Sequence, residues 1–333
     1  MKFGPAPVAQ ALGAISAHAV RMGEARLKKG QVIGEAEQRA LRAAGIDTVI
    51  AAELEPGDIG EDAAAQQLAH AIAGANLRLD PPFTGRVNLF ATATGLLRVE
   101  RARVDAVNRV DDAITMATLA EFAHVVDGDM AATVKIIPFA TSAAAMQTAC
   151  AAAAGGAVAI APYRPLLVGV VSTLLPGLKP SVVNKTLGVL EARLAPARAR
   201  IVEDRRCPHD TAALVEALAS ARRDCDALVV FGASAITDRR DVIPAALEAA
   251  GGRIEHFGMP VDPGNLLLLG ELDDRPLIGA PGCARSPKEN GFDWVLGRVL
   301  AGIPVTRADI QAMGVGGLLM EIESRPQPRQ GDG

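Results

Sequence analysis

The sequence predicts an α/β protein in which a C-terminal three-layer α/β/α domain with a mostly parallel sheet follows a mixed α+β region and a β-rich region. Two observations predict this class. Short apolar runs alternate with helical segments through the second half of the chain, and these runs are apolar on both faces, as in buried parallel strands. Half of the 333 residues are hydrophobic, which is enough for packed cores. The expected divisions are a mixed α+β region at 1–78, a β-rich domain at 79–160, the α/β domain at 164–322 and a flexible tail at 323–333.

The first 160 residues mix helices and strands. The pattern predicts helices at 35–45, 62–74 and 141–154 and a strand at 47–54. Residues 85–100 alternate partly around Gly95, and Asp127-Gly128 lies between runs rich in valine and isoleucine, which predicts a hairpin.

The C-terminal half contains the α/β repeat. Predicted strands lie at 166–171, 198–203, 227–231, 253–257, 266–270 and 276–280, and helices lie near 181–194, 210–223, 241–250 and 287–300. One apolar stripe of the first of these helices consists of Val183, Leu187, Leu190 and Leu194. The last helix is predicted to begin at Ser286-Pro287-Lys288-Glu289, which has the pattern of a capping box.

Composition excludes several classes of function. A net charge of −4 with 3% aromatic residues argues against a nucleic-acid partner. The Ala- and Gly-rich stretch 143–162 is too weakly hydrophobic for a membrane span, and glycines and prolines interrupt the apolar character of residues 1–20, which argues against a signal peptide. Four scattered cysteines without a CxxC pair fit reduced thiols, so a cytoplasmic protein is expected.

One stretch, VVFGASAITDRRDV at 229–242, points to a ligand site. The small residues Gly232, Ala233, Ser234 and Ala235 follow a buried strand and leave the backbone bare, so that N–H groups can approach an anion. Asp241 then begins a helix, whose first turn adds unpaired donors. The alternative interpretation is that the small residues only allow close packing and that Asp241 is an N-cap.

Further loops meet at the same predicted edge of the sheet. They contain Ser172-Thr173, Asp204, Asp262-Pro263-Gly264 and Pro281-Gly282. Ligands of open α/β sheets bind beyond the carboxyl ends of the strands, so these residues are candidates for one pocket. The run Cys207-Pro208-His209-Asp210 also groups possible metal ligands, but adjacent side chains rarely converge on one ion, and no metal site is predicted there.

Residues 166–320 resemble the molybdopterin-binding domain of molybdenum cofactor biosynthesis proteins. That family has a Gly-Gly-Thr-Gly stretch followed by Arg-Asp-Val-Thr-Pro, where this chain has residues 232–235 followed by Arg240-Asp241-Val242-Ile243-Pro244. The family's strand-end aspartate and helix asparagine resemble Asp204 and Asn184. Its two Pro-Gly pairs resemble Pro263-Gly264 and Pro281-Gly282.

The resemblance implies a pocket for molybdopterin and its phosphate. The expected binding residues are Thr173, Asn184, Gly232, Ala233, Ser234, Ala235, Pro263, Gly264, Pro281 and Gly282. Asp204 and Asp241 are the expected catalytic residues and share Mg²⁺, which prefers carboxylate oxygens, during molybdate insertion. The alternatives left open are a solvated turn acid for Asp204 and a polar position on an amphipathic helix for Asn184.

The chain departs from this family at charged positions. Asp262 and Asn265 stand where molybdopterin molybdotransferases usually have lysines, and Arg285 or Lys288 is a candidate replacement cation. The tyrosine-containing motif that serves a partner subunit's site in that family is absent.

Several functions therefore stay open. The protein is expected to be a molybdotransferase-like enzyme, a non-catalytic molybdopterin carrier, or a nucleotide pyrophosphatase of the competence-damage type. Residues 1–160 resemble the front part of molybdopterin-binding cytidylyltransferase fusions through GDIGEDAAAQ (57–66) and TVKIIPF (133–139). The nucleotidyltransferase motif itself is lacking, which implies a separate nucleotidyltransferase as partner, and the resemblance leaves a homodimer open.

Overall fold

The structure, a computed structural model, describes residues 1–319. The predicted tail at 323–333 and the last residues of the predicted α/β domain lie outside this range. The chain forms two compact units, one of Met1–Ala93 with Leu97–Ile160, the other of Thr94–Leu96 with the chain from Ala161 onward. The division of the first 160 residues at residue 78 stays a prediction.

The first unit is a mixed α+β structure of small sheets. Its helices are α1 (Glu35–Ala43), α2 (Glu61–Ile72), α3 (Arg101–Asn108) and α4 (Ala143–Ala152). Its strands are β1 (Lys2–Pro7), β2 (Ile15–Ser16), β3 (Val20–Met22), β4 (Ala25–Leu27), β5 (Thr48–Glu53), β6 (Asp58–Gly60), β7 (Leu77–Leu79), β8 (Arg86–Ala91), β9 (Gly95–Val99), β10 (Ile114–Thr118), β11 (His124–Val125), β12 (Met130–Ile136), β13 (Ala140–Ser142) and β14 (Val158–Pro162), of which β9 and β14 include residues of both units.

The hairpin predicted at Asp127-Gly128 is wrong. Strands β11 and β12 flank that turn but belong to different sheets, since β12 lies between β8 and β10 whereas β11 pairs with β9. The turn is bonded to a third segment instead: the Gly128 amide donates to the Ala91 carbonyl, and the Ala91 amide donates to the Asp129 carbonyl. The predicted helices at 35–45, 62–74 and 141–154 and the strand at 47–54 are confirmed within two residues at each end.

The second unit contains one six-stranded sheet. Its strands are β15 (Leu167–Leu174), β16 (Arg200–Pro208), β17 (Ala227–Phe231), β18 (Arg253–Phe257), β19 (Leu268–Leu272) and β20 (Arg275–Ala280), in the spatial order β16-β15-β17-β20-β19-β18. The pairings among the first four strands in that order are parallel, and β19 is antiparallel to both of its neighbours. The predicted α/β class with a mostly parallel sheet is confirmed.

Helices cover both faces of this sheet. They are α5 (Pro180–Leu194), α6 (Thr211–Ala221), α7 (Val242–Ala249), α8 (Gly291–Leu300) and α9 (Arg307–Gln311). One hydrophobic core contains residues of α5 and α8, including Leu190 and Phe292, and the other contains residues of α6 and α7, including Leu214 and Leu247. Alternate residues of β15 enter these two cores, with Val170 on the α5 side and Val171 on the α6 side.

The predicted start of the last helix is wrong by four residues. Helix α8 begins at Gly291, because Asn290 caps it: the Asn290 side chain accepts from the Phe292 amide, and Asp293 accepts from the Asn290 amide. This is a capping box in which asparagine and aspartate replace the serine and glutamate expected at 286–289. Within residues 1–319, no helix has both the length and the apolar character that crossing a bilayer requires.

Candidate functional site

A pocket lies at the carboxyl ends of the parallel strands β15 and β17, where the sequence predicts a site. Its volume is about 130 Å³. The wall is formed by the strand ends, by helix α5 with its preceding loop, and by the turn after β20. Its residues are Ser172, Thr173, Leu174, Leu178, Val182, Val183, Thr186, Phe231, Ala233 and Arg285. Pockets for whole small molecules usually exceed about 300 Å³, so this one suits a single chemical group of a larger ligand.

Arg285 supplies the positive charge of this pocket. It lies at the end of the 3-10 turn Gly282–Arg285 that follows β20. Its Nη2 donates to the Gly232 carbonyl at 2.8 Å, and its guanidinium carbon lies 5.6 Å from the centre of the Phe231 ring. Burial lowers the pKa of the Arg285 guanidinium, which remains charged at neutral pH. Among residues 1–319 no carboxylate forms an ion pair with it, so the pocket holds a half-buried cation whose charge is not neutralised by the protein.

Ser172 adds an unused hydroxyl to the same wall. The residue is 3% exposed, and its Oγ has no hydrogen-bond partner within the described part of the chain. A buried hydroxyl without a partner costs about 1–3 kcal/mol. Ser172 and Arg285 both line the pocket, so this unused hydroxyl belongs to the same wall as the cation.

The loop at 232–235 is only partly free to receive a ligand. The Ala233 amide donates to Thr173 Oγ1 at 2.8 Å, so one of the donors predicted to meet an anion is already used within the protein. Ser234 Oγ lies 2.9 Å from His209 Nε2, and Ala235 is exposed. The amides of Ser234 and Ala235 have no acceptor among residues 1–319, and these two donors remain for a ligand.

Gly232 is required for space. A Cβ on this residue would lie 2.7 Å from the Ser234 carbonyl oxygen and 2.9 Å from Ile243 Cδ1. The glycine therefore allows the close turn after β17, which is the packing role that the alternative interpretation assigned to it.

Asp241 is the N-cap of helix α7. Its Oδ1 accepts from the Val242 amide at 2.8 Å, and its Oδ2 accepts from the Thr237 amide at 3.2 Å. The carboxylate thus holds the turn that leads into the helix, as the alternative interpretation of this residue states. A catalytic or magnesium-binding role of Asp241 stays a prediction.

Asp204 does not follow its strand as predicted. Strand β16 extends to Pro208, five residues beyond the predicted end, because residues 204–208 continue the parallel pairing with β15. Asp204 therefore lies within the strand, opposite Val170, and its Oδ2 accepts from Arg206 Nη2 at 2.8 Å. Asn184 of α5 accepts from the same Arg206 nitrogen at 2.8 Å, so the two predicted site residues are joined through one arginine.

The two Pro-Gly pairs have different neighbours in the structure. Pro263-Gly264 packs on the start of α8, where the Gly291 amide donates to the Pro263 carbonyl and a Cβ on Gly264 would lie 2.8 Å from Gly291 Cα. Neither residue of that pair lines the pocket. Pro281-Gly282 directly follows β20, the neighbour of β17, and begins the turn that carries Arg285.

Residues 1–319 contain no cluster of three or more histidine, cysteine, aspartate or glutamate side chains arranged to hold a metal ion. The carboxylates predicted to share Mg²⁺ are bonded to Arg206 and to backbone amides, as described above. The sharing of Mg²⁺ by Asp204 and Asp241 stays a prediction.

Two residues of the site are absent from the binding residues expected from the sequence. Ser172 was placed at a strand end but not chosen, because only the structure shows that its hydroxyl lacks a partner. His209 was considered only as a metal ligand, whereas its ring contacts two hydroxyl groups. Arg285, one of the two candidate replacement cations, lines the pocket, and Lys288 does not.

One family model matches the N-terminal part of the chain. A family model described as "Domain of unknown function (DUF8806)" matches residues 5–53. A comparison with curated protein sequences finds no match.

Three solved structures show remote similarity to the chain. They are a molybdopterin biosynthesis MoeA protein from Pyrococcus horikosii (12% identity, TM-score 0.30, 93% of this chain and 75% of that one), a molybdenum cofactor biosynthesis protein from Pyrococcus furiosus (12%, 0.26, 91% and 66%) and a MoeA protein from Pyrococcus horikoshii OT3 (11%, 0.28, 74% and 80%). With TM-scores this low, the superpositions do not assign a function to the chain.

Proposed function

We propose that the second unit binds molybdopterin, with the anionic phosphate end in the pocket at the carboxyl ends of β15 and β17. The main observation in support of this proposal is the environment of Arg285. This arginine is a half-buried cation in the pocket wall and has no carboxylate partner among residues 1–319. A phosphate oxygen accepts strong charge-assisted hydrogen bonds from a guanidinium and fits a volume of about 130 Å³. The remaining body of the ligand would lie outside the pocket, over the exposed residues Ser234 and Ala235.

Two further features support an anionic ligand. The unpartnered Ser172 hydroxyl belongs to a residue of the pocket wall and would donate to the anion after rotating toward it. The amides of Ser234 and Ala235 supply donors at its edge. The resemblance of residues 166–320 to molybdopterin-binding domains narrows this anion to molybdopterin, and the role to molybdenum cofactor biosynthesis.

The observations favour the carrier over the enzyme. Magnesium-dependent molybdate insertion requires Asp204 and Asp241 to turn toward a metal ion, but Asp204 is paired with Arg206 and Asp241 accepts two backbone amides. As a carrier, the protein holds the pterin for a separate nucleotidyltransferase in the cytoplasm. The resemblance to the molybdopterin-binding family also suggests that it does so as a homodimer.

The proposal is tested by what the protein carries when it is purified from a host that makes the cofactor. Wild-type protein is expected to contain a fluorescent oxidised pterin and phosphorus in equal amounts. Arg285→Gln is expected to lose most of both. The matched control is Arg200→Gln, which removes the same charge at the first residue of β16, the opposite edge of the parallel sheet. Wild-type protein without pterin, or equal pterin content in both variants, would contradict the proposal.

A further inference from the structure

His209 connects a buried threonine with an exposed serine at the carboxyl edge of the sheet. Its Nδ1 lies 2.8 Å from Thr173 Oγ1, and its Nε2 lies 2.9 Å from Ser234 Oγ. Thr173 is 2% exposed in β15, His209 directly follows β16, and Ser234 is exposed in the loop after β17. Three separate chain segments therefore form one row of hydrogen bonds that leads from a buried residue to the surface.

The contacts of Thr173 decide which nitrogen of His209 carries the proton. Thr173 Oγ1 accepts from the Ala233 amide at 2.8 Å and still has its own proton to donate. In the described part of the chain, His209 Nδ1 is the one acceptor that this hydroxyl reaches. Since a buried hydroxyl rarely leaves its proton without an acceptor, Thr173 donates to Nδ1. The neutral imidazole then carries its proton on Nε2.

This tautomer fixes the direction of the bond between His209 and Ser234. Nε2–H donates to Ser234 Oγ, so the serine oxygen accepts and its own proton points away from the histidine. Every bond of the row, beginning with the Ala233 amide, thus donates toward the surface. Hydrogen bonds arranged in this way polarise one another, which strengthens the last donor of the row. That last donor is the Ser234 hydroxyl.

Two backbone donors accompany this hydroxyl. The amides of Ser234 and Ala235 have no acceptor within residues 1–319. Ala233, the residue before Ser234, lines the pocket that contains Arg285. The loop therefore groups a side-chain donor and two backbone donors next to the pocket.

On the basis of the proposed function, we propose that His209 is a positioning residue that keeps the Ser234 proton free for the ligand. The phosphate occupies the pocket at Arg285, and Ser234 donates to an acceptor atom of the ligand body outside it. Such an acceptor is a carbonyl oxygen, a ring nitrogen with a free lone pair, or an ionised oxygen or sulfur atom.

The three side chains of the row have different roles in this arrangement. Ser234 contacts the ligand, His209 directs the serine hydroxyl, and Thr173 sets the tautomer of His209. Without the Thr173 hydroxyl, the imidazole proton is free to move to Nδ1. Nε2 then accepts the Ser234 proton, and the ligand loses this donor.

Anaerobic calorimetric titration with molybdopterin, compared with inorganic phosphate, tests the role of the row. Inorganic phosphate lacks the ligand body and reports on the pocket at Arg285. Ser234→Ala and His209→Phe should each weaken molybdopterin about 3- to 10-fold more than they weaken phosphate, which is the usual net effect of one hydrogen bond. The matched control is Ser181→Ala, which removes an exposed hydroxyl at the start of α5 and should bind molybdopterin as wild type does.

A conservative pair of variants separates positioning from packing. Thr173→Ser keeps the hydroxyl and should retain the wild-type ratio of molybdopterin affinity to phosphate affinity. Thr173→Val keeps the shape but removes the hydroxyl, and this ratio should fall as it does in Ser234→Ala. An equal ratio in Thr173→Ser and Thr173→Val would contradict a role of the threonine in setting the tautomer.

The ¹⁵N shifts of His209 in the wild-type protein test the tautomer without any substitution. Nε2 should be protonated and Nδ1 unprotonated at neutral pH. A protonated Nδ1 overturns the proposal, and so does a molybdopterin affinity of Ser234→Ala equal to that of wild type. Either result can occur while Arg285→Gln still weakens both ligands, and the proposed function then stands. If Arg285→Gln leaves both affinities unchanged, the proposed function itself fails.

Discussion

Replacing Ser172 by alanine should stabilise the second unit while weakening its ligand binding. Ser172 is 3% exposed, and its hydroxyl is buried without a partner in the described part of the chain. Because an unsatisfied buried polar group costs about 1–3 kcal/mol, removing it should raise the free energy of unfolding by about 1 kcal/mol. For a unit of this size, such a change corresponds to an increase in Tm of about 2–4 °C.

The chain offers a direct assay for this change. Trp294 is the only tryptophan of the sequence and lies in α8 of the second unit, so its fluorescence during urea unfolding reports on that unit. The matched control is Thr186→Val, which removes a hydroxyl of the same pocket that does have a partner, the Val182 carbonyl at 3.0 Å. The control should lower stability by about 0.5–1.5 kcal/mol. If Ser172→Ala also lowers stability, the hydroxyl is satisfied and the reasoning about the pocket is refuted.

Two further predictions concern single carboxylates. Asp241→Ala should destabilise the second unit by about 1 kcal/mol in the urea assay because helix α7 loses its cap. Asp241→Asn should keep most of that stability, since asparagine caps a helix equally well. An equal loss of stability in both variants would mean that the charge of Asp241 matters rather than its capping bond. In the first unit, burial raises the pKa of Glu61 against the opposing effect of Lys135. Its contribution to stability is therefore greatest below the ordinary glutamate pKa and decreases as pH rises through the raised value. Thermal unfolding between about pH 4 and pH 8 should show Glu61→Gln gaining stability relative to wild type as pH rises; a relative loss would show that the Lys135 ion pair dominates.

Periodicity predicted the α/β part of the fold well. The continuous apolar run at 227–231 is a central strand with its predicted bounds. Leu187, Leu190 and Leu194 of the predicted stripe pack in the core beneath the sheet, and Val183 is buried in the pocket wall. These features depend on burial, and the spacing of apolar residues in the sequence indicates directly which positions are buried.

Other features depend on partners distant in sequence. The turn at Asp127-Gly128 reads as a hairpin locally, but its hydrogen bonds go to Ala91. The start of α8 was misassigned because two capping boxes compete within eight residues, and tertiary contacts of Asn290 with Cys283 favour the second.

The candidate site could be located from sequence but not resolved in detail. Small residues at a strand end predicted the edge where the pocket lies. The hydrogen bonds of the site were not predictable. The Ala233 amide donates to Thr173 of β15, which is 60 residues away in sequence. Arg206 bonds Asp204 because β16 extends past its predicted end, so that these alternate residues lie on one face of the strand. The same limitation hid the one hydroxyl in the pocket wall that lacks a partner, at Ser172.

Anaerobic calorimetric titration with molybdopterin, and separately with inorganic phosphate, tests the central claim most directly. The pocket charge of Arg285 is expected to supply a charge-assisted hydrogen bond, so Arg285→Gln should weaken both ligands about 10-fold or more, which corresponds to about 1.4 kcal/mol. Arg200→Gln should bind both as wild type does. Unchanged affinity in Arg285→Gln, with normal folding shown by Trp294 fluorescence, would contradict an anion site at this edge of the sheet.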